Sequence, residues 1–203
     1  MIQKPTWCYK RIYNVPHVSE IQSELLGFMV KIKPNISEWN TDVVYLPKDK
    51  IVGNLPLYEN YLKSINVFDR WHYSLLVYNN NGEKLPIHVD STNWEGRCYA
   101  LNMPALNCQN TYTVWYDAEI DDSVENSQST NDKYVDIRSD NLKSTARIIK
   151  NGAVATEIDR LETDSPAWIN YTIPHTGLCY HNNPRAMFSS RFNPELHDII
   201  DTL

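Results

Sequence analysis

Two side chains of types that can ligate a metal ion, His88 and Asp90, stand two residues apart in a stretch with strand character. On a strand, residues i and i+2 point to the same side, so the imidazole and the carboxylate can share one ion. A third ligand must come from elsewhere, and His175, which follows Pro174 and opens another strand-and-turn stretch, is the natural candidate. Two histidines and one carboxylate cover one face of an octahedral Fe(II) and leave three positions for other ligands. His-x-Asp alone is a weak signal, and a lone histidine is more often a hydrogen-bonded structural residue. His181, flanked by Asn182 and Asn183, competes with His175 for the third place.

The arginines sharpen that reading. A small ligand with two carboxylates, chelating such an ion at one end, needs a cation at the other, and guanidinium provides an always-charged fork for it. Arg185 stands ten residues beyond His175 at the head of a strong strand pattern, and Arg97 nine beyond His88 at the head of another. Arg191 shares the Arg185 face of its strand, so it either replaces Arg185 as the anchor or pairs with an acidic residue. Ser189, between them on that face, is placed to donate a hydrogen bond to the same carboxylate. A structural ion pair is the competing reading for each arginine.

The elements that must position these groups are mostly short strands. Tyr73 to Tyr78 reads as a strand, Asn79 to Gly82 as a hairpin turn, and Lys84 to Val89 as the returning strand, with His88 and Asp90 at its end. Further strands are expected at Arg97 to Met103, Thr111 to Tyr116, Ala153 to Ile158, Ala167 to Thr172 and Arg185 to Phe192. Short strands at fairly even spacing indicate a sandwich or barrel, with the jelly roll among the options. The first third adds helices. One starts at Ser19 as N-cap, with Ile21, Leu25, Phe28, Met29 and Ile32 on one face and Pro34 ending it. A second runs from Pro56 to about Ile65, with Leu57, Tyr61 and Ile65 in register. Both are expected to cover one side of a sheet. Glu119 to Ser144, rich in Asp, Asn and Ser, reads as a long surface loop.

At 203 residues a single domain is expected, with 1–69 as a helix-containing cover and 70–196 as the core. Thirteen Tyr, six Trp and four Phe suit pleated surfaces. Only six Gly are present, and neither a phosphate-cradling loop nor a dinucleotide fingerprint occurs. A net charge of −6 argues against nucleic acid or an anionic membrane as partner. No apolar run is long enough to span a bilayer, and Met1 to Tyr13 lacks an apolar signal segment. Cys8, Cys98, Cys108 and Cys179 form no C-x-x-C and read as reduced, packed thiols of a cytoplasmic protein.

Two blocks carry a resemblance. His88-Val89-Asp90-Ser91-Thr92-Asn93-Trp94-Glu95-Gly96-Arg97 is one. His175-Thr176-Gly177-Leu178-Cys179-Tyr180-His181-Asn182-Asn183-Pro184-Arg185, running on to Phe192-Asn193-Pro194-Glu195-Leu196, is the other. Together they resemble the aspartyl/asparaginyl β-hydroxylase branch of the 2-oxoglutarate/Fe(II) oxygenases, over roughly residues 70 to 196. The resemblance implies a mainly β chain with flanking helices, built as a double-stranded β-helix (jelly roll, cupin-like). It further implies that His88 and His175 bind Fe(II), Arg185 holds the distal carboxylate of 2-oxoglutarate, and Arg97 assists. Asp90 departs from the best-known animal enzymes of the branch, where a glycine stands, and restores the two-His-one-carboxylate set of the wider superfamily. The implied reaction is hydroxylation of an amino-acid or peptidyl side chain. Two other readings stay open: a cupin-like metalloenzyme that does not use 2-oxoglutarate, and a non-enzymatic jelly-roll binding or structural module.

Overall fold

A computed structural model describes residues 7–39, 42–79, 87–92, 99–120, 144–192 and 200. Among them are two antiparallel sheets and two helices. Strands β1 (Tyr9–Arg11), β9 (Ala167–Asn170), β5 (Tyr99–Leu106), β11 (Arg185–Phe192), β3 (Trp71–Asn79) and β2 (Asp42–Pro47) form one sheet in that order. Strands β7 (Ser144–Ile148), β4 (His88–Thr92), β10 (His175–Cys179), β6 (Thr111–Asp117) and β8 (Thr156–Glu162) form the other.

The six-stranded sheet is covered on one face by helices α1 (Val18–Ile32) and α2 (Pro56–Ser64). On α1, Ile21, Leu25, Phe28 and Met29 fall on one stripe and are buried against Leu76, Leu101, Met103, Trp168 and Phe188 of the sheet. The helix begins at Val18, two residues earlier than an N-cap at Ser19 implies. Its N-cap is His17, in the left-handed region at φ 53°, and Ile32 stays exposed. Pro56 occupies the first turn of α2, where its missing N–H costs nothing. The next two amides, of Leu57 and Tyr58, donate to the Glu24 carboxylate of α1 at 3.0 and 2.9 Å. That cross-helix cap rotates α2 so that Tyr58, Tyr61 and Leu62 are buried and the expected Leu57 is exposed.

The opposite face of the six-stranded sheet packs on the five-stranded one through a second, smaller core of Cys8, Ala100, Trp115, Leu161, Ala167, Ile169 and Tyr171. This inter-sheet layer is where the candidate site lies. Strand alternation accounts for the division: Leu101 and Met103 on β5 serve the helix side, while Ala100 and Asn102 face the other sheet.

Two expectations about connectivity change. β3 and the strand carrying His88 are not hairpin partners: β3 pairs with β2 and β11, and β4 with β7 and β10. β3 and β4 lie in opposite sheets, and local turn residues carry no information about that choice. Most of the turn, 80–86, lies outside the described residues. His88 opens its strand instead of ending it, and β8 runs three residues later than expected. The first third also adds β1 and β2 at the sheet's two edges. Residues 121–143 of the expected polar loop fall outside the described set. No helix among the described residues is long and apolar enough to cross a membrane.

Candidate metal centre

Sheet register brings the two histidines together. In the five-stranded sheet His175 is paired with His88 on one side and with Trp115 on the other. Directly opposed residues on antiparallel strands hold their Cβ atoms within ~5.5 Å, and the two imidazole centroids lie 4.5 Å apart. Asp90, two residues after His88, presents its carboxylate from the same face. Its Oδ1 is 3.4 Å from His88 Nε2 and 3.9 Å from His175 Nε2. One donor atom from each residue falls within 4.8 Å of the other two.

The β9–β10 turn is tied down from three sides. Asn170 Oδ1 accepts from the Thr172 amide and hydroxyl, its carbonyl accepts from Trp115 Nε1, and its Nδ2 donates to the Trp7 carbonyl. The Tyr171 carbonyl accepts from the Asp90 amide, and the Pro174 carbonyl from the Tyr116 amide. The turn therefore sets β4 and β6 against the start of β10. His175 Nδ1 lies 2.9 Å from the Ile173 carbonyl, an acceptor only, so Nδ1 carries the proton and Nε2 faces Asp90 with its lone pair.

Electrostatics leaves His175 and Asp90 ready to ligate. Burial, with His88 close by, pushes the His175 imidazole down to about 3, so it is neutral at any physiological pH. Burial acts to raise the Asp90 carboxyl, but Arg191 and the two imidazoles outweigh it and hold Asp90 well below the usual carboxylate range. The side chains of His88 and Asp90 keep 18% and 24% of their surface exposed against 4% for His175, so the cluster is approachable from one side.

The arginines separate into two roles. Arg191, one of the sequence-derived anchor candidates, pairs with Asp90 (Nη1 to Oδ2, 2.8 Å) and lies 4.1 Å from the centroid of the Tyr171 ring. Arg185 sits at the other end of β11, where Nη2 donates to Thr163 Oγ1 at 3.2 Å and approaches the Met187 sulfur. Its Nε is buried with no acceptor among the described residues, and no carboxylate there pairs with it. The residue as a whole is half-buried, and its guanidinium presents a charged fork to an incoming carboxylate. Ser189 uses its hydroxyl differently from the expectation: it donates to Asn102 Oδ1 at 2.6 Å. Arg97 and Trp94 lie outside the described residues.

His181 is not in the cluster; its Nε2 sits 3.0 Å from the Asn107 carbonyl in the turn before β11. Of the aromatics near the motifs, Trp115 lines the inter-sheet core, stacked on Tyr9, whereas Tyr99 packs on the helix side against Trp7. Sequence reasoning missed Tyr171 and Asn102. The Tyr171 ring packs on His175 at 4.5 Å, and its hydroxyl accepts from Asn102 Nδ2. The only local hint was that Tyr171 precedes His175 by one turn.

No protein-family model and no curated protein sequence matches the chain. Solved structures do. A prolyl-4-hydroxylase from Pseudomonas putida superposes with a TM-score of 0.50 at 8% identity, covering 93% of each chain. SnoN, a non-haem α-ketoglutarate-dependent epimerase from nogalamycin biosynthesis, gives a TM-score of 0.50 at 11% identity over 91% of this chain and 77% of its own. Likeness at such identities is a likeness of fold. The chain is a double-stranded β-helix, the architecture of 2-oxoglutarate/Fe(II) oxygenases, and it carries a His-Asp-His cluster.

Proposed function

We propose that this chain is a 2-oxoglutarate- and Fe(II)-dependent dioxygenase that hydroxylates an amino-acid or peptidyl side chain, in the manner of the aspartyl/asparaginyl β-hydroxylase branch. One juxtaposition supports the reading above all: a half-open His88, Asp90, His175 cluster shares the inter-sheet space with Arg185, a half-buried cation lacking a carboxylate partner among the described residues. His88, Asp90 and His175 are the residues that hold the ion. Bound Fe(II) supplies the redox chemistry by which dioxygen and 2-oxoglutarate yield succinate and carbon dioxide while a substrate C–H becomes C–OH.

The chain's own groups do the positioning. Arg185 receives the distal carboxylate, and Thr163 and Met187 hold its guanidinium. Thr163 is held in turn by the hydroxyl of Thr111, on the strand paired with the one that His175 opens. Ala100, Trp115, Leu161 and Ile169 keep water from the inter-sheet space. Arg97 remains a second carboxylate contact. The two sequence blocks support the amino-acid or peptidyl substrate, and the free, buried Cys8, Cys108 and Cys179 support a cytoplasmic setting.

The test is succinate release by the purified protein with Fe(II), 2-oxoglutarate and dioxygen, in the presence of free amino acids or peptides. Stimulation by either is expected. Stimulation by a different substrate class with none from amino acids or peptides overturns the substrate reading. Arg185→Ala is expected to raise the KM for 2-oxoglutarate at least tenfold, which corresponds to about 1.4 kcal/mol. Metal-dependent activity unaffected by that substitution favours the cupin-like alternative.

A further inference from the structure

The two oxygens of Asp90 have different neighbours. Oδ1 is the oxygen toward the imidazole nitrogens, at 3.4 and 3.9 Å, while Oδ2 is held at 2.8 Å by Arg191 Nη1. Arg191 is itself fixed. It is 8% exposed, on a strand bonded on both sides to β3 and β5, with its guanidinium carbon 4.1 Å from the centroid of the Tyr171 ring. The same ring packs on His175 at 4.5 Å and is anchored through its hydroxyl to Asn102, which Ser189 holds in turn. A cation-facing ring in a dry layer is a strong restraint.

We propose that Arg191 and Tyr171 are a positioning pair that divides the Asp90 carboxylate: Oδ2 is retained by the guanidinium, and Oδ1 alone is offered to the ion. Resting on the functional reading above, the pair has a definite purpose. A carboxylate free to rotate can give both oxygens to one ion and occupy a position needed for a chelating co-substrate; a carboxylate clamped on one oxygen cannot. Tyr171 couples the clamp to His175, so the orientations of two ligands are set by one ring. Neither residue touches the ion's open side, which makes them positioning residues and not catalytic ones.

Co(II) is the probe, because its visible spectrum reports coordination number directly and needs no turnover. Arg191→Met is expected to bind Co(II) yet show an altered visible spectrum before any co-substrate is added. Calorimetric titration should then give 2-oxoglutarate affinity lowered about tenfold or more, the range seen for lost outer partners of metal ligands. Tyr171→Leu is expected to move both readouts in the same direction, and Tyr171→Phe, which keeps the ring, to leave the spectrum as in the wild type. Tyr171→Leu also removes no charge, so it carries the test should Arg191→Met fail to fold. A wild-type spectrum and wild-type affinity in folded Arg191→Met or Tyr171→Leu overturn the inference alone. A wild-type protein that binds neither Co(II) nor 2-oxoglutarate overturns the functional reading and this inference with it.

Discussion

His175 donates Nδ1–H to Ile173, faces Asp90 through Nε2, and is buried enough for its imidazole to be pushed down to about 3 from an ordinary 6.5. In the unfolded chain the same ring takes up a proton near 6.5. Between pH 6.5 and about 3 the unfolded state therefore binds a proton that the folded state refuses, and stability falls as pH is lowered through that window. The metal-free protein is expected to lose melting temperature between pH 7 and 5, with a shallower slope in His175→Asn; identical slopes contradict the assignment. At this scale much was legible from residue types. The i, i+2 relation of His88 and Asp90 and the strand that His175 opens are local facts. The partners of Arg191 and Ser189 were not, because both face the interior from one strand. Which of them meets Asp90 and which meets Asn102 is decided by the pairing of β11 with β5 and by the packing of the sheet that carries β4 across them, all distant in sequence.

At the scale of elements, the helices show how a periodic pattern can be right about existence and wrong about rotation. The α2 segment was expected to bury Leu57; instead Glu24 of α1 caps the first amides of α2 and turns Tyr58 and Leu62 inward. Glu24→Ala is expected to cost about 1 kcal/mol, as for other lost N-terminal caps, read as a melting-temperature drop of about 2–4 °C. Leu25→Ala, which empties a fully buried position between α1 and the sheet, is expected to cost about 2–5 kcal/mol by chemical denaturation. A smaller cost for Leu25 than for Glu24 contradicts this account of the helix layer. The strands themselves were readable from apolar runs and turn residues, except β1, β2 and β7. The first two are edge strands in a segment dominated by helical periodicity, and β7 adjoins a polar stretch whose composition masks it.

The whole molecule has two cores with separate duties. The larger, between helices and the six-stranded sheet, supplies most buried apolar surface; the smaller, between the sheets, shares its space with charged and polar groups around His175. Damage to the first should lower stability without altering metal binding, whereas damage to the second should do both. Met29→Ala and Ile169→Ala make the comparison: both are expected to melt earlier, with Co(II) affinity changed only in Ile169→Ala. A sandwich or barrel was legible from strand number and spacing, and the double-stranded β-helix among those options came from the resemblance of the two sequence blocks. The order of strands in each sheet was not, because long-range pairing leaves no trace in local composition.

The central claim is that two imidazoles, one carboxylate and a distant guanidinium act on the same small dicarboxylate. Its most direct measurement is anaerobic addition of Fe(II) and 2-oxoglutarate, followed by visible absorption. A metal-to-ligand charge-transfer band is expected, absent in His88→Ala and requiring more 2-oxoglutarate in Arg185→Ala. No band in the wild-type protein, or an undiminished band in His88→Ala, contradicts the account.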